Sequence, residues 1–306
     1  MLAPMQGLTN RALRDLFVKW VRPDVVFTEF IRVRPGSKKP FSAVDRLEAA
    51  SQDEQVPLVV QLIGRDVAGL SASARAAREE GAVHLNINLG CPYGRMSRES
   101  AGGALLKDPT GLVERLLAVR EQAEASFSVK VRSGYDHPEQ IFSLLPVFDQ
   151  CGVDFLIIHP RTVTQKFGGW ADHAISKRLV EATSLPVIVN GDLNTAETGQ
   201  AVLAQTGGAG LMFGRGAIAD PLLFQRMRGL APAEPDQRGR AEELQFYLVE
   251  LLERYRLIFQ GERQVLDKLK TVMTMMRGDQ FFSREIKKML RVDQIETLQT
   301  ILLGLH

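Results

Sequence analysis

Asn86, Asn88 and Cys91 lie close together in the stretch Leu85-Asn86-Ile87-Asn88-Leu89-Gly90-Cys91-Pro92. Apolar and polar residues alternate up to Leu89, the period of a strand, and Gly90-Cys91-Pro92 cannot continue one. Asn86 and Asn88, two apart, project from the same side. If that side faces a cavity, one segment supplies two amides and a thiol to it. Taken alone, the segment is equally a small core cysteine beside a turn. Polar residues close the other β-rich runs as well: Glu29 and Gln61, Lys130 and Arg132, His159 and Arg161, Asn190 and Asp192, and Arg215. Singly, each has an ordinary explanation, such as a strand-end charge reaching solvent or a satisfied core histidine. A ring of them at one rim describes an active site. Asn190-Gly191-Asp192 and Phe213-Gly214-Arg215-Gly216 add small residues where backbone amides can close on an anion, which indicates a phosphorylated ligand.

The elements that must hold such a ring recur regularly. β-rich runs occur at residues 2–5, 25–30, 58–64, 83–90, 127–132, 154–159, 186–191 and 209–215, most of them followed by a stretch of helical period. Thr9 and the pair Asp108-Pro109 stand where helix starts are expected. Eight runs over roughly 230 residues predict a closed (β/α)8 TIM barrel, an α/β fold. A doubly wound sheet, with its usual five or six strands, leaves runs over. The composition breaks at Ala231-Pro232-Ala233-Glu234-Pro235, and only helical spacing follows, for example Leu244, Leu248, Leu251 and Tyr255. The expected organisation is a barrel over residues 1–232 and a small all-α helical bundle over 237–306.

Composition narrows the class. With 45% apolar and 24% charged residues, the chain of 306 residues is an ordinary globular protein. Two cysteines exclude a disulfide scaffold, and with five scattered histidines they form no zinc-spaced cluster, so no metal is expected. No run nears the roughly 20 apolar residues that span a bilayer, and no basic leader opens the chain. A cytoplasmic monomer is expected.

These residues resemble the flavin-dependent tRNA dihydrouridine synthases. The matches are Leu2-Ala3-Pro4-Met5, Val60-Gln61-Leu62-Ile63-Gly64, Asn86 through Pro92, Lys130-Val131-Arg132-Ser133-Gly134, His159-Pro160-Arg161-Thr162 with Gln165, Asn190-Gly191-Asp192 and Gly214-Arg215-Gly216. They span the barrel in the family's order. Thr28-Glu29-Phe30-Ile31-Arg32-Val33 is similar to the branch acting on tRNA position 16. The resemblance implies FMN at the barrel's C-terminal rim and NADPH as its reductant. Ala3, Pro4 and Met5 would lie against the flavin ring, Gln61, Lys130 and His159 would touch the ring or its ribityl chain, and Asn190, Gly191, Asp192, Gly214 and Arg215 would surround the phosphate. Hydride would pass to C6 of uridine, and Cys91 would protonate C5. A thiol has an ordinary pKa of about 8.5 and carries the needed proton near neutrality. Asn88 would hold the base, with Arg32, Arg161 and Phe167 also toward the substrate, and the uridine must leave the folded tRNA to reach them.

The helical tail is the expected tRNA-binding part, through Lys268, Lys270, Arg277, Arg284, Lys287 and Lys288. From Glu262 to Arg291, eight Lys or Arg face four Asp or Glu, a surplus of four in a chain whose whole net charge is +2. That concentration suits a phosphate backbone. Two alternatives are an FMN reductase of free pyrimidines or another small molecule, and a tRNA-binding barrel without the reaction. The basic tail argues against the first, and intact Cys91, Lys130 and His159 against the second. The chain departs from the family pattern at Tyr93 to Arg98, at Phe167, where a hydroxylated aromatic is common, and in the glycine placement of Ser100 to Ala104.

Overall fold

The computed structural model describes residues 1–50, 55–92 and 101–306; the atypical segment Tyr93 to Arg98 lies outside them. All of its strands pair in parallel. In chain order they are β1 (Val26–Phe27), β2 (Ile31–Arg32), β3 (Leu58–Ile63), β4 (His84–Leu89), β5 (Ser126–Gly134), β6 (Phe155–Thr162), β7 (Val187–Asn190) and β8 (Gly210–Met212). Each of β3 to β7 pairs with the next, while β1 and β2 both pair with β3. The first sequence run closes the circle. Leu2 bridges Val26 on one side and Phe213 on the other, and the Met1 ammonium donates to Leu211 O at 2.8 Å. With helices packed outside it, this is the expected TIM barrel.

The second run is interrupted. The Gln61 N–H turns to the Thr28 hydroxyl at 3.0 Å, so the ladder stops after Phe27 and resumes at Ile31. Two helix starts also differ from the sequence reading. Asn10, not Thr9, caps the helix Arg11–Trp20, and Thr9 Oγ1 instead accepts the Met5 N–H at 2.8 Å. Asp108 holds only the Thr110 N–H, because Gly111 at φ +70° breaks the run before the helix Leu112–Arg120 can begin.

The stretch Ala231 to Pro235 forms neither helix nor strand, and helices follow at Gln237–Ile258, Glu262–Met273, Ser283–Met289 and Ile295–Leu303. The apolar stripe read from the sequence is fully covered: Leu244, Leu248, Leu251 and Tyr255 are each 0% exposed. One apolar cluster runs from Leu2 and Phe17 through Tyr247 to Leu302, so the tail is packed onto the barrel's first helix. Phe17 meets Tyr247 edge-on at 6.0 Å. Arg226 and Arg240, both buried, tie the junction through Asp220, Glu243 and Asp279. Arg240 also donates to Ala219 O at 2.7 Å, so the short helix Arg215–Ala219 after β8 is held against the tail.

Candidate active site

At the C-terminal ends of the strands lies a cavity of about 370 Å³, within the size range of small-molecule sites. It gathers Cys91, Asn88, Lys130, His159, Asn190 and Gly191, and the loop Ala3 to Met5, with Phe167, Asp192, Gly214 and Arg215 completing its wall. Three expected residues are absent from that wall. Gln61 is wholly buried beneath it, Arg161 stands behind it, and Arg32 lies to one side on β2. The cations expected on the tail do not reach it either. Lys268 lines a separate cleft of about 580 Å³ with Glu29 and Phe259. Arg277, Arg284, Lys287 and Lys288 are exposed on the tail, and Lys270 is half-buried.

Lys130 stands deep in the barrel mouth on β5, which runs on past it to Gly134. Desolvation there, reinforced by Arg132 and opposed by Cys91, lowers its ammonium from the usual lysine value to about 7. Its Nζ donates to Asn190 Oδ1 at 3.0 Å, and Asn190 Nδ2 donates to Met212 O at 2.7 Å. An ammonium has three hydrogens. One is engaged among the described residues, and the other two call for acceptors from a ligand.

His159 is neutral. Burial is the main cause, and Lys130, Arg132, Arg161 and Arg215 all add to it, so the imidazole titrates well below its ordinary value. Arg161 Nη1 lies 3.1 Å from His159 Nε2. A guanidinium can only donate, so Nε2 accepts and the ring proton sits on Nδ1, a donor with no partner among the described residues.

The other Arg161 hydrogens go to Asp192 Oδ1 at 3.1 Å and Oδ2 at 2.6 Å, and to the carbonyls of Gly168 and Gly169. The guanidinium is only 2% exposed. Its role here is to fix Asp192, which sits at φ +51°, and with it the turn after β7. Burial disfavours the Asp192 carboxylate, but Arg161, the Ala171 N–H and Arg215 outweigh it and hold the group below the usual aspartate range. Stability from this pair is therefore present above the unfolded aspartate pKa and is lost as pH falls through the lower folded value. Asp192→Ala strands the Arg161 charge and should lower stability by about 3–5 kcal/mol, read by urea unfolding at pH 7. The difference from the parent should shrink toward pH 3.

The loops after β7 and β8 fit an anion. A Cβ on Gly191 would meet Ala171 Cβ at 2.9 Å, and one on Gly216 would meet Leu193 O at 2.4 Å, so only bare backbone fits where these loops meet. Arg215 is half-exposed, stacks on the Phe167 ring at 5.1 Å and reaches Asp192 only at 3.5 Å. That loose attachment leaves it able to turn to a phosphate.

Sequence reasoning gave Arg132 no role beyond closing a run and missed part of the cavity wall. Arg132 pins the loop below Cys91 through Gly90 O at 2.9 Å and Thr162 O at 2.8 Å. Its place two residues after Lys130, on the same side of the strand, is the sequence signal for that role. Phe30 and the tail's Met275 also line the cavity, and nothing local in the sequence points to Met275. Among the described residues no three His, Cys, Asp or Glu side chains gather to hold a metal, and no helix is long and apolar enough to cross a membrane.

The family model described as "Dihydrouridine synthase" matches residues 1–303. A tRNA-dihydrouridine synthase B from Vibrio parahaemolyticus is 32% identical over 227 residues, covering 74% of this chain and 70% of that protein. One of the same name from Pseudomonas aeruginosa is 31% identical over 268 residues, covering 86% and 79%. A solved histamine dehydrogenase from Rhizobium sp. 4-9 superimposes with a TM-score of 0.56 at 12% identity, over 79% of this chain and 46% of that one, a likeness of fold.

Proposed function

The chain belongs to the dihydrouridine synthase family, and on that premise we propose that it reduces the C5–C6 double bond of uridine in tRNA, using FMN in the barrel mouth and NADPH as reductant. The observation that carries this reading is a single cavity holding a thiol, Cys91, and an ammonium, Lys130, with two hydrogens unengaged among the described residues.

FMN, when bound, supplies the hydride that goes to C6. The chain supplies the rest. Lys130 and the His159 Nδ1–H offer donors to acceptors on the flavin ring, the usual way a protein tunes such a cofactor. Ala3, Pro4 and Met5 form a wall for the ring. Asn190, Gly191, Asp192, Gly214 and Arg215 hold the phosphate end, Asp192 through its backbone because its carboxylate is committed to Arg161. Cys91 gives its proton to C5. Asn88 keeps one amide hydrogen for the base after bonding to Gln61. The uridine must be extruded from the tRNA into this mouth, where Phe167 and Arg32 flank the approach.

The parts 1–232 and 237–306 then divide the work between catalysis and holding RNA. Arg277, Arg284 and Lys287 are exposed with no ion pair among the described residues, and Lys288 has only a loose one to Glu285 at 3.9 Å. Lys268 and Lys270 sit half-buried nearer the barrel. Lys287→Ala with Lys288→Ala should weaken tRNA binding and flatten its salt dependence by about 1.5–2 in log–log slope. Flavin content should not change. Binding titrations from 50 to 200 mM salt check this. Cys91 and Cys151 are both free thiols, which suits a reducing cytoplasm, and we read the protein as a monomer.

The proposal as a whole is tested by incubating the purified protein with FMN, NADPH and unmodified tRNA transcript. Dihydrouridine should form and NADPH be consumed with it. A colourless protein that takes up no FMN defeats the reading.

A further inference from the structure

We propose that Asn86 and Ser128 are positioning residues for Cys91, acting through a one-way chain of side-chain amides inside the barrel. The inference rests on the reading of Cys91 as proton donor and extends it to residues that touch neither cofactor nor substrate.

The chain begins at the turn itself. The Gly90 and Cys91 N–H groups both donate to Asn88 Oδ1, each at 2.9 Å. Asn88 Nδ2 donates to Gln61 Oε1, Gln61 Nε2 to Asn86 Oδ1, and Asn86 Nδ2 to Ser128 Oγ, each at 2.8 Å. Strand register makes this possible: Gln61 pairs with Asn86, and Asn86 with Ser128, across β3, β4 and β5. Gln61, Asn86 and Ser128 are each 0% exposed. None of the three lines the cavity.

The order has a direction. Every amide accepts on the side of Cys91 and donates away from it. Flipping one would set amino group against amino group on one side and oxygen against oxygen on the other. A hydroxyl at the far end is indifferent to direction, so Ser128 closes the chain without straining it. Asn88 is thereby left one orientation, oxygen toward the Gly90–Cys91 turn. Arg132 Nε holds Gly90 O at 2.9 Å, and the Gly103 N–H holds Cys91 O at 3.1 Å. With its main chain fixed on both sides, Cys91 has little but its χ1 rotation left to vary. Buried polar networks of this kind rigidify what they touch, and reaction rates are sensitive to misplacements of about 1 Å.

Ser128→Ala removes the terminal acceptor without touching the cavity. The expected result is a kcat lowered about tenfold, with KM for tRNA and flavin content unchanged. The rate at which iodoacetamide alkylates Cys91, followed by mass spectrometry, should change as well. Ser128→Thr, which keeps the hydroxyl, should restore most of the loss. Ser73→Ala is the control, since Ser73 is a buried serine with no hydrogen-bond partner among the described residues, and it should behave as the parent. Should Ser128→Ala fold poorly, Asn86→Leu breaks the same chain at similar volume and is read the same way. Parental kcat and alkylation in the broken-chain variant overturn the proposal, as does an equal loss in Ser73→Ala. If Cys91→Ala still makes product, the donor reading fails, and the alkylation rate alone then decides whether the chain positions this residue.

Discussion

Cys91→Ala is expected to purify with its normal flavin content and to form dihydrouridine at least about 100-fold more slowly, the lower end of what a positioned proton donor contributes. The substitution is mild. What holds the turn is backbone, through the Gly90 and Cys91 N–H groups and Cys91 O, and alanine keeps all of it. Only the sulfur leaves the cavity wall. A single-turnover assay with excess enzyme separates the chemical step from product release, and tRNA affinity measured alongside should match the parent. A parental rate would remove the thiol from the mechanism.

Lys130 gives the second large effect, and it depends on pH. In the ligand-free protein its ammonium titrates at about 7, so above that pH the amine is neutral and cannot meet an electron-rich ligand edge with a charge. FMN binding must then take up a proton. Affinity should be flat below pH 7 and fall about tenfold per pH unit above it, until the pKa of the flavin-bound form is reached. Lys130→Met should bind FMN more weakly at pH 6.5 and lose this pH dependence. Fluorescence titrations of flavin-free protein from pH 6 to 9 read both, and identical profiles would exclude Lys130 as the responsive group. The same burial has a stability consequence of opposite sense. A depressed lysine pKa is a penalty, fully present below about pH 7 and relieved as pH rises toward the unfolded value near 10.4. Without flavin, Lys130→Met should therefore be more stable than the parent at pH 6, by an amount that shrinks at pH 9.

The strand ends were legible because a barrel converts sequence position into place: a polar residue closing a parallel strand must appear at one rim. Cys91 and Asn190 were found that way; Lys130 and His159 were found by the same reasoning, although β5 and β6 run on past them to Gly134 and Thr162. The contacts among them depend on register and long-range packing, which local pattern does not carry. Gln61 looked like a rim residue; the pairing of β3 with β4 instead commits it to Asn86 and Asn88. Arg161 looked available to substrate, but its partner Asp192 lies 31 residues away on another loop. The second run read as one strand because nothing local reveals that the Thr28 hydroxyl takes the Gln61 N–H. Met275 reaches the cavity only because the tail packs on the barrel.

The most direct measurement is a map of dihydrouridine across total tRNA from a strain lacking this gene, compared with the parent strain and with the deletion carrying either the normal gene or Cys91→Ala. The account predicts that dihydrouridine disappears from a defined uridine, returns with the normal gene, and stays absent with the variant. A map unchanged by the deletion would contradict it.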